Sequence, residues 1–228
     1  LPQAEEIKKR LFNSNKIFIP CHQYKYSPIW LNFKKFVENK DDSSKTLLKF
    51  NVFRTEADPG LKILSNSWRT GSAKNGGGIL TDTAVHYFYL FSWMFGKIVS
   101  VSTKLLKINH KDYDSEDTAF IILESEKGVA QITVTWAADK RYNSASAICS
   151  NSSISYRSGN GLIINSKYGS EEIKVSDMSD KSHYTSLYID LFVEFLSAIK
   201  NNIKREEWIE DAYKSVYILE KCFESSRE

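Results

Sequence analysis

Asp82 and His86 are the two residues of this sequence whose types and spacing most directly suggest chemistry. They stand four positions apart in GGGILTDTAVHYFYLFSWMFG, residues 76–96. On an α-helix, side chains four positions apart project from the same side, about 40° from each other. A carboxylate placed in this way can orient an imidazole and raise its proton affinity. The pair is therefore a candidate general base working near neutral pH.

Two other interpretations of the pair stay open. Asp82 and His86 can form an ordinary i,i+4 contact that stabilises the helix by about 0.2–0.5 kcal/mol. They can also share a cation, but His22, His110 and His183 offer no matching spacing for further ligands, so we expect no metal site. Neither GxGxxG nor GxxxxGKS occurs in the sequence, so the three glycines are not a phosphate loop by themselves.

The segment that carries the pair has the pattern of an apolar helix. We predict a helix over residues 78–95, stopped by Gly96, with Tyr89 and Trp93 continuing the side that bears Asp82 and His86. The preceding residues, 55–77, are rich in Gly, Asn and Pro and predict a loop. Other helices are predicted at residues 4–13, 29–39, 187–200 and 207–224.

The rest of the chain has the period-two pattern of strands. We predict strands at residues 16–21, 46–54, 98–108, 118–125, 129–137, 144–150, 153–158 and 162–168. Short polar turns between the later strands indicate a large, mostly antiparallel open sheet with helices on one side, which is an α+β fold. The helix and single strand at the start resemble the end of a doubly wound domain, and we expect the chain to be a piece of a longer protein.

Composition excludes several classes of function. The 228 residues are 42% hydrophobic and 26% charged, and the net charge of +3 comes without a basic block, so we expect no nucleic-acid partner. The longest apolar runs are shorter than the roughly 20 residues that span a bilayer, so we expect no membrane partner. Three widely separated cysteines without a CxxC pair favour a reducing compartment, and we expect a cytoplasmic protein.

Several motifs, in order along the chain, resemble the Gfo/Idh/MocA family of oxidoreductases, named after glucose–fructose oxidoreductase, inositol dehydrogenase and rhizopine catabolism. The motifs are HQYKYSPIWLNFKKFV, WRTGSAKNGGGILTDTAVHYFYLFSWMFG, GVAQITVTWA, YIDLFVEFLSAIKNN and WIEDAYKSVYILEKCFESS. They span essentially the whole chain, and the collinear set is more specific than any one of them.

The resemblance implies a nicotinamide-dependent dehydrogenase that acts on a sugar, a cyclitol or a sugar nucleotide. It implies that residues 1–23 are the remnant of a Rossmann domain and that residues 24–228 are the C-terminal domain for substrate binding and oligomerisation. The cofactor is NAD or NADP in the full-length protein, and none is expected on this chain, which we expect to be inactive alone. A homodimer or homotetramer formed through the open sheet face is expected.

The resemblance also implies roles for individual residues. His86 and Asp82 are the catalytic residues, and a third, a Lys in a Glu-Lys-Pro motif, belongs just before Leu1. Lys25, Tyr26, Arg69 and Tyr89 are expected to bind substrate, and the loop at residues 55–74 is expected to select it.

Two departures from the family pattern affect this set. Lys25 stands where the family usually has Arg, and Tyr89 stands where it often has a second Asp. The alternative is a non-catalytic sugar-binding or dimerisation module related to the family.

Overall fold

The computed structural model describes residues 2–40, 44–57, 68–71, 76–177 and 184–227. Its helices are α1 (Pro2–Phe12), α2 (Pro28–Glu38), α3 (Val85–Phe95), α4 (Tyr184–Lys200) and α5 (Glu206–Ser225). A 3₁₀ turn, Gln23–Tyr26, precedes α2, and a π-helical turn, Leu80–Ala84, precedes α3. Most of the predicted loop at residues 55–77 and the residue His183 lie outside the described residues.

Eight strands form one sheet in the order β2-β3-β4-β1-β5-β6-β7-β8. They are β1 (Thr46–Phe53), β2 (Ile98–Leu106), β3 (Thr118–Ser125), β4 (Gly128–Thr135), β5 (Tyr142–Ile148), β6 (Ser152–Arg157), β7 (Gly161–Ser166) and β8 (Gly169–Ile173). Every pairing is antiparallel except that of β1 with β4. The predicted α+β fold with a mostly antiparallel open sheet is confirmed.

The structure assigns residues 16–21 to no strand, so the strand predicted there is wrong. A strand needs a neighbour that accepts its backbone hydrogen bonds, and the described residues offer none here. The helix before it is confirmed as α1, which lies against α5: Lys8 Nζ is 2.8 Å from Glu210 Oε1. β8 was not predicted, since its sequence GSEEI lacks the apolar alternation of a strand.

One face of the sheet packs against helices and forms the core. Leu48, Phe50 and Val52 alternate along β1 and are fully or almost fully buried. Phe50 contacts Tyr87 of α3, with ring centroids 5.0 Å apart, and Trp30 of α2, at 5.3 Å. Helix α3 is apolar on nearly all sides and is therefore central to this core. The start of α3 is thus held rigidly against the sheet.

The opposite face of the sheet and one side of α4 expose apolar side chains. On the sheet these are Leu47, Phe120, Ile122 and Ile148, and on α4 they are Ile189, Phe192, Val193, Leu196 and Ile199. Exposed apolar side chains on one surface are typical of an interaction site when they form a large patch. No described helix is long and apolar enough to cross a membrane.

Candidate active site

A cleft of about 290 Å³ lies at the point where the π-helical turn, the 3₁₀ turn and the ends of β1 and β4 meet. It is lined by Gln23, Tyr24, Arg54, Glu56, Arg69, Asp82, Thr83, His86, Trp136, Arg141 and Tyr188. Asp82 and His86 are both partly exposed at this cleft, together with residues from the first segment of the chain. The structure therefore brings three predicted site residues together: Asp82, His86 and Arg69.

Asp82 is paired with Arg69. Arg69 Nε donates to Asp82 Oδ1 at 2.8 Å, and the hydroxyl of Thr83 donates to Oδ2 at 3.3 Å. The two side chains are only 17% and 28% exposed, so the pair is partly shielded from water. No hydrogen bond joins the carboxylate to His86 among the described residues, so the expected carboxylate–imidazole contact is not formed.

Asp82 lies in the π-helical turn and His86 in the first turn of α3. Glu116 holds the start of the turn: its Oε1 accepts from the backbone N–H of Leu80 at 3.0 Å, and its carbonyl accepts from Ile79. Burial raises the pKa of this carboxyl group, while the bond from Leu80 lowers it.

Gly78 makes room for the Glu116 carboxylate. Its φ of +100° lies in the left-handed region, and a Cβ at this position would overlap the carboxylate of Glu116. Gly78 therefore serves close packing at the start of the turn, and phosphate binding is not needed to explain it.

Aromatic residues contact the His86 ring and position it. Its Nδ1 lies 3.4 Å from the hydroxyl oxygen of Tyr89, which also accepts from the backbone N–H of Tyr24 at 3.2 Å. The rings of Tyr24 and His86 lie 4.7 Å apart, and His22 stacks on Tyr89 at 4.0 Å. These contacts fix the imidazole through Nδ1. Nε2 has no hydrogen-bond partner among the described residues.

Burial lowers the pKa of His86 from 6.5 to about 4. The expectation that Asp82 raises the proton affinity of this imidazole is therefore wrong, because the carboxylate is taken by Arg69. The pKa of His22 is lowered to about 3, first by burial and then by the charge of Lys25. Both imidazoles are neutral at pH 7.

Three other predicted site residues do not line the cleft. Lys25 Nζ lies 2.6 Å from Asp211 Oδ2 of α5. The hydroxyl of Tyr26 donates to Glu194 of α4, and burial together with that bond raises the pKa of Tyr26. Tyr89 is 3% exposed and lies behind His86. Direct contact of these three with substrate stays a prediction.

Across the cleft from Asp82 lie residues that were not predicted from the sequence. Arg54 follows directly after β1, and Trp136 and Arg141 flank the connection from β4 to β5. Their position at strand ends was the available signal, since strand ends at one edge of a sheet converge. The described residues contain no group of three or more His, Cys, Asp or Glu side chains able to hold a metal ion.

Residues 46–155 match the model of the GFO/IDH/MocA C-terminal domain. This match covers a little under half of the chain and confirms the resemblance seen in the sequence. No curated protein sequence matches the chain.

Solved structures share the fold over nearly the whole chain. An oxidoreductase from Agrobacterium radiobacter, in complex with NAD⁺, L-tartaric acid and magnesium, superposes with a TM-score of 0.80 at 13% identity, covering 99% of this chain and 67% of the other. A levoglucosan dehydrogenase in complex with NADH and L-sorbose gives 0.77 at 15% identity, covering 99% and 68%. An oxidoreductase from Thermotoga maritima gives 0.75 at 18% identity, covering 98% and 64%. The chain thus spans about two thirds of the length of these proteins.

Proposed function

We propose that this chain is the substrate-binding and catalytic domain of an NAD- or NADP-dependent oxidoreductase acting on a sugar, a cyclitol or a sugar nucleotide. One observation carries the proposal: His86 and the Asp82–Arg69 pair line the same cleft. The family match of residues 46–155 and the dehydrogenases among the structural relatives support it.

In this proposal His86 accepts the proton of the reacting hydroxyl group through Nε2. That role requires the tautomer in which Nδ1–H donates to the Tyr89 oxygen, 3.4 Å away, so that the lone pair of Nε2 faces the cleft. Asp82 accepts from a neighbouring hydroxyl group, and Arg69 holds the carboxylate in place. A bound nicotinamide would supply the acceptor for the hydride that leaves the carbon of the reacting hydroxyl group.

The described residues contain no glycine-rich turn of the kind that seats a dinucleotide between a strand and a helix. Ten of the eleven residues that line the cleft lie after residue 23. We therefore propose that residues 1–23 belong to a nucleotide-binding domain and residues 24–228 to the substrate domain. The isolated chain is then inactive, and the full-length protein functions in the cytoplasm.

The experiment is a screen of the full-length protein against free sugars, inositols and sugar nucleotides with NAD⁺ and with NADP⁺, followed by variants. His86→Ala should lower the maximal rate by roughly 10²-fold or more, the scale for loss of a positioned acid–base group. Tyr168→Ala, at a side chain 86% exposed, is the control and should leave the rate unchanged. An unchanged rate in His86→Ala would remove His86 from the mechanism.

The alternative is a non-catalytic sugar-binding or dimerisation module, favoured by one observation. A pKa of about 4 makes the imidazole of His86 a weak base, which a binding role tolerates better than catalysis does. Saturable sugar binding by the full-length protein, with no nucleotide reduction for any substrate in the screen, would select this alternative.

A further inference from the structure

The wall of the cleft opposite Asp82 carries positive charge that the proposed chemistry does not use. Three arginines line the cleft, Arg54, Arg69 and Arg141, against the two acids Glu56 and Asp82. Asp82 is already paired with Arg69, and Glu56 is an exposed side chain at the rim. The wall formed by the strand ends contributes Arg54, and Arg141 also lines the cleft.

Arg54, on this wall, is held in place by contacts of its backbone and of its guanidinium group. Its backbone is fixed at the end of β1, since its N–H donates to Thr135 O at 2.8 Å and its carbonyl accepts from Ala138 at 3.0 Å. Its guanidinium donates through Nη1 to Phe53 O at 2.7 Å and to Asn143 Oδ1 at 2.9 Å. Asn143 is itself buried, with 5% of its surface exposed, so this anchor is rigid.

All hydrogen-bond partners of Arg54 are neutral oxygens. Among the described residues no carboxylate lies within ion-pair distance of its guanidinium, and Nε and Nη2 have no protein acceptor. Burial removes part of the hydration of this cation, and the protein oxygens replace it only at Nη1. A guanidinium with one nitrogen anchored and two donors left over matches the fork geometry of a carboxylate or a phosphate.

We propose that the substrate of this site is an anionic monosaccharide derivative, with a carboxylate or phosphate group bound by Arg54 while its reacting hydroxyl group faces His86. This inference rests on the proposed function for the identity of the reacting group. The cleft volume of about 290 Å³ is at the lower end of the roughly 300–1,000 Å³ typical of small-molecule sites, which favours a single sugar over a sugar nucleotide. Arg141 lines the same cleft.

The test compares three probes that share a pyranose ring: D-glucose, D-glucuronate and D-glucose 6-phosphate. Binding to the 228-residue chain is followed by NMR at the indole N–H of Trp136, which lines the cleft. At least one anionic probe should bind about 10-fold or more tightly than glucose, the scale of a charge-assisted hydrogen bond. Arg54→Gln should remove this preference, and Arg54→Lys should keep only part of it, because lysine retains the charge without the fork.

Arg157→Gln is the matched control. Arg157 is an exposed arginine near the end of β6 that does not line the cleft, and its loss changes the net charge by the same amount. It should leave the preference for the anionic probe unchanged. Preference for glucuronate identifies a carboxylate ligand, and preference for glucose 6-phosphate identifies a phosphate. Equal binding of all three probes, binding of none, or an anion preference that survives Arg54→Gln would overturn the proposal.

Failure of the proposed function has a different signature. If the full-length protein reduces NAD⁺ or NADP⁺ with neutral sugars, and Arg54→Gln does not change those rates, the anion inference fails while the oxidoreductase stands. If Arg54-dependent anion binding is found without turnover of any substrate, the anion site stands and the oxidoreductase fails.

Discussion

Arg69 and Asp82 form an ion pair across the mouth of the cleft, with Nε 2.8 Å from Oδ1. The pair joins the described part of the segment before Gly76 to the π-helical turn. It fixes the carboxylate without using His86, so the two candidate catalytic residues are held by independent contacts. The strength of the Arg69–Asp82 pair and the positioning of His86 can therefore be tested separately.

The first prediction concerns the strength of the Arg69–Asp82 pair. A double-mutant cycle with Arg69→Gln and Asp82→Asn should give a coupling energy of about 1 kcal/mol in the free energy of unfolding, since the pair is partly buried. Urea denaturation of the four proteins measures it. The exposed pair Arg10–Glu6 of α1, treated in the same way, is the control and should couple more weakly. Equal coupling in the two cycles would show that burial does not strengthen the Arg69–Asp82 contact.

The second prediction concerns the packing of Gly78 against Glu116. Gly78→Ala introduces a strained φ and an overlap with the carboxylate, whereas Gly159→Ala introduces a strained φ, at +84°, into open space. Gly159→Ala is the control, and it should lower the free energy of unfolding by about 1–2 kcal/mol. Gly78→Ala should lower the free energy of unfolding by about 1–3 kcal/mol more than the control does, because the new Cβ overpacks the site. Equal losses, measured by denaturant unfolding, would show that Glu116 moves aside at no cost.

The third prediction is a pH dependence of stability. The folded chain holds His86 and His22 with pKa values of about 4 and about 3, below their ordinary 6.5. As the pH falls below about 6.5, the unfolded chain binds protons at these positions that the folded chain does not, so the free energy of unfolding decreases. Between about pH 6.5 and pH 4, His86→Asn should lose stability less steeply than the wild type, in thermal denaturation. Parallel curves for the two proteins would contradict the lowered pKa of His86.

The fourth prediction concerns Tyr89 as a positioning residue for His86. Tyr89→Phe keeps the ring that stacks on His22 and removes the oxygen that contacts Nδ1. The imidazole should lose its preference for one neutral tautomer, which ¹⁵N chemical shifts of the His86 ring report. Its pKa should stay low, because burial is the cause of that shift. Unchanged tautomer populations would show that the contact at 3.4 Å does not orient the ring.

The fifth prediction concerns self-association, which we propose to occur through the open sheet face. Phe120→Asp and Ile122→Asp, at side chains 43% and 49% exposed on β3, should shift the sedimentation profile to the monomer without loss of secondary structure. Phe192→Asp on the exposed apolar side of α4 is the comparison and should leave the assembly intact. Dissociation by the α4 substitution alone would place the interface on that helix.

Local sequence patterns determined much of the fold. The helices carry apolar residues at three- and four-residue spacing, and seven of the eight strands show alternation, because each covers the core with one face. These patterns depend on neighbours in the sequence and are therefore visible without a structure. They did not reveal β8, whose residues are exposed, or the parallel insertion of β1 between β4 and β5, which depends on contacts between distant segments.

The sequence by itself placed Asp82, His86 and Arg69 in one candidate site and showed the resemblance to the family whose C-terminal domain model matches residues 46–155. Only the tertiary structure decided which of these residues touch. Asp82 pairs with Arg69 and not with His86, the burial of His86 lowers its pKa, and the ends of β1 and β4 bring Arg54 and Trp136 to the same cleft. The physical reason is that hydrogen-bond partners, burial and charge environment are set by segments far apart in the chain, whereas periodicity and motif spacing are local.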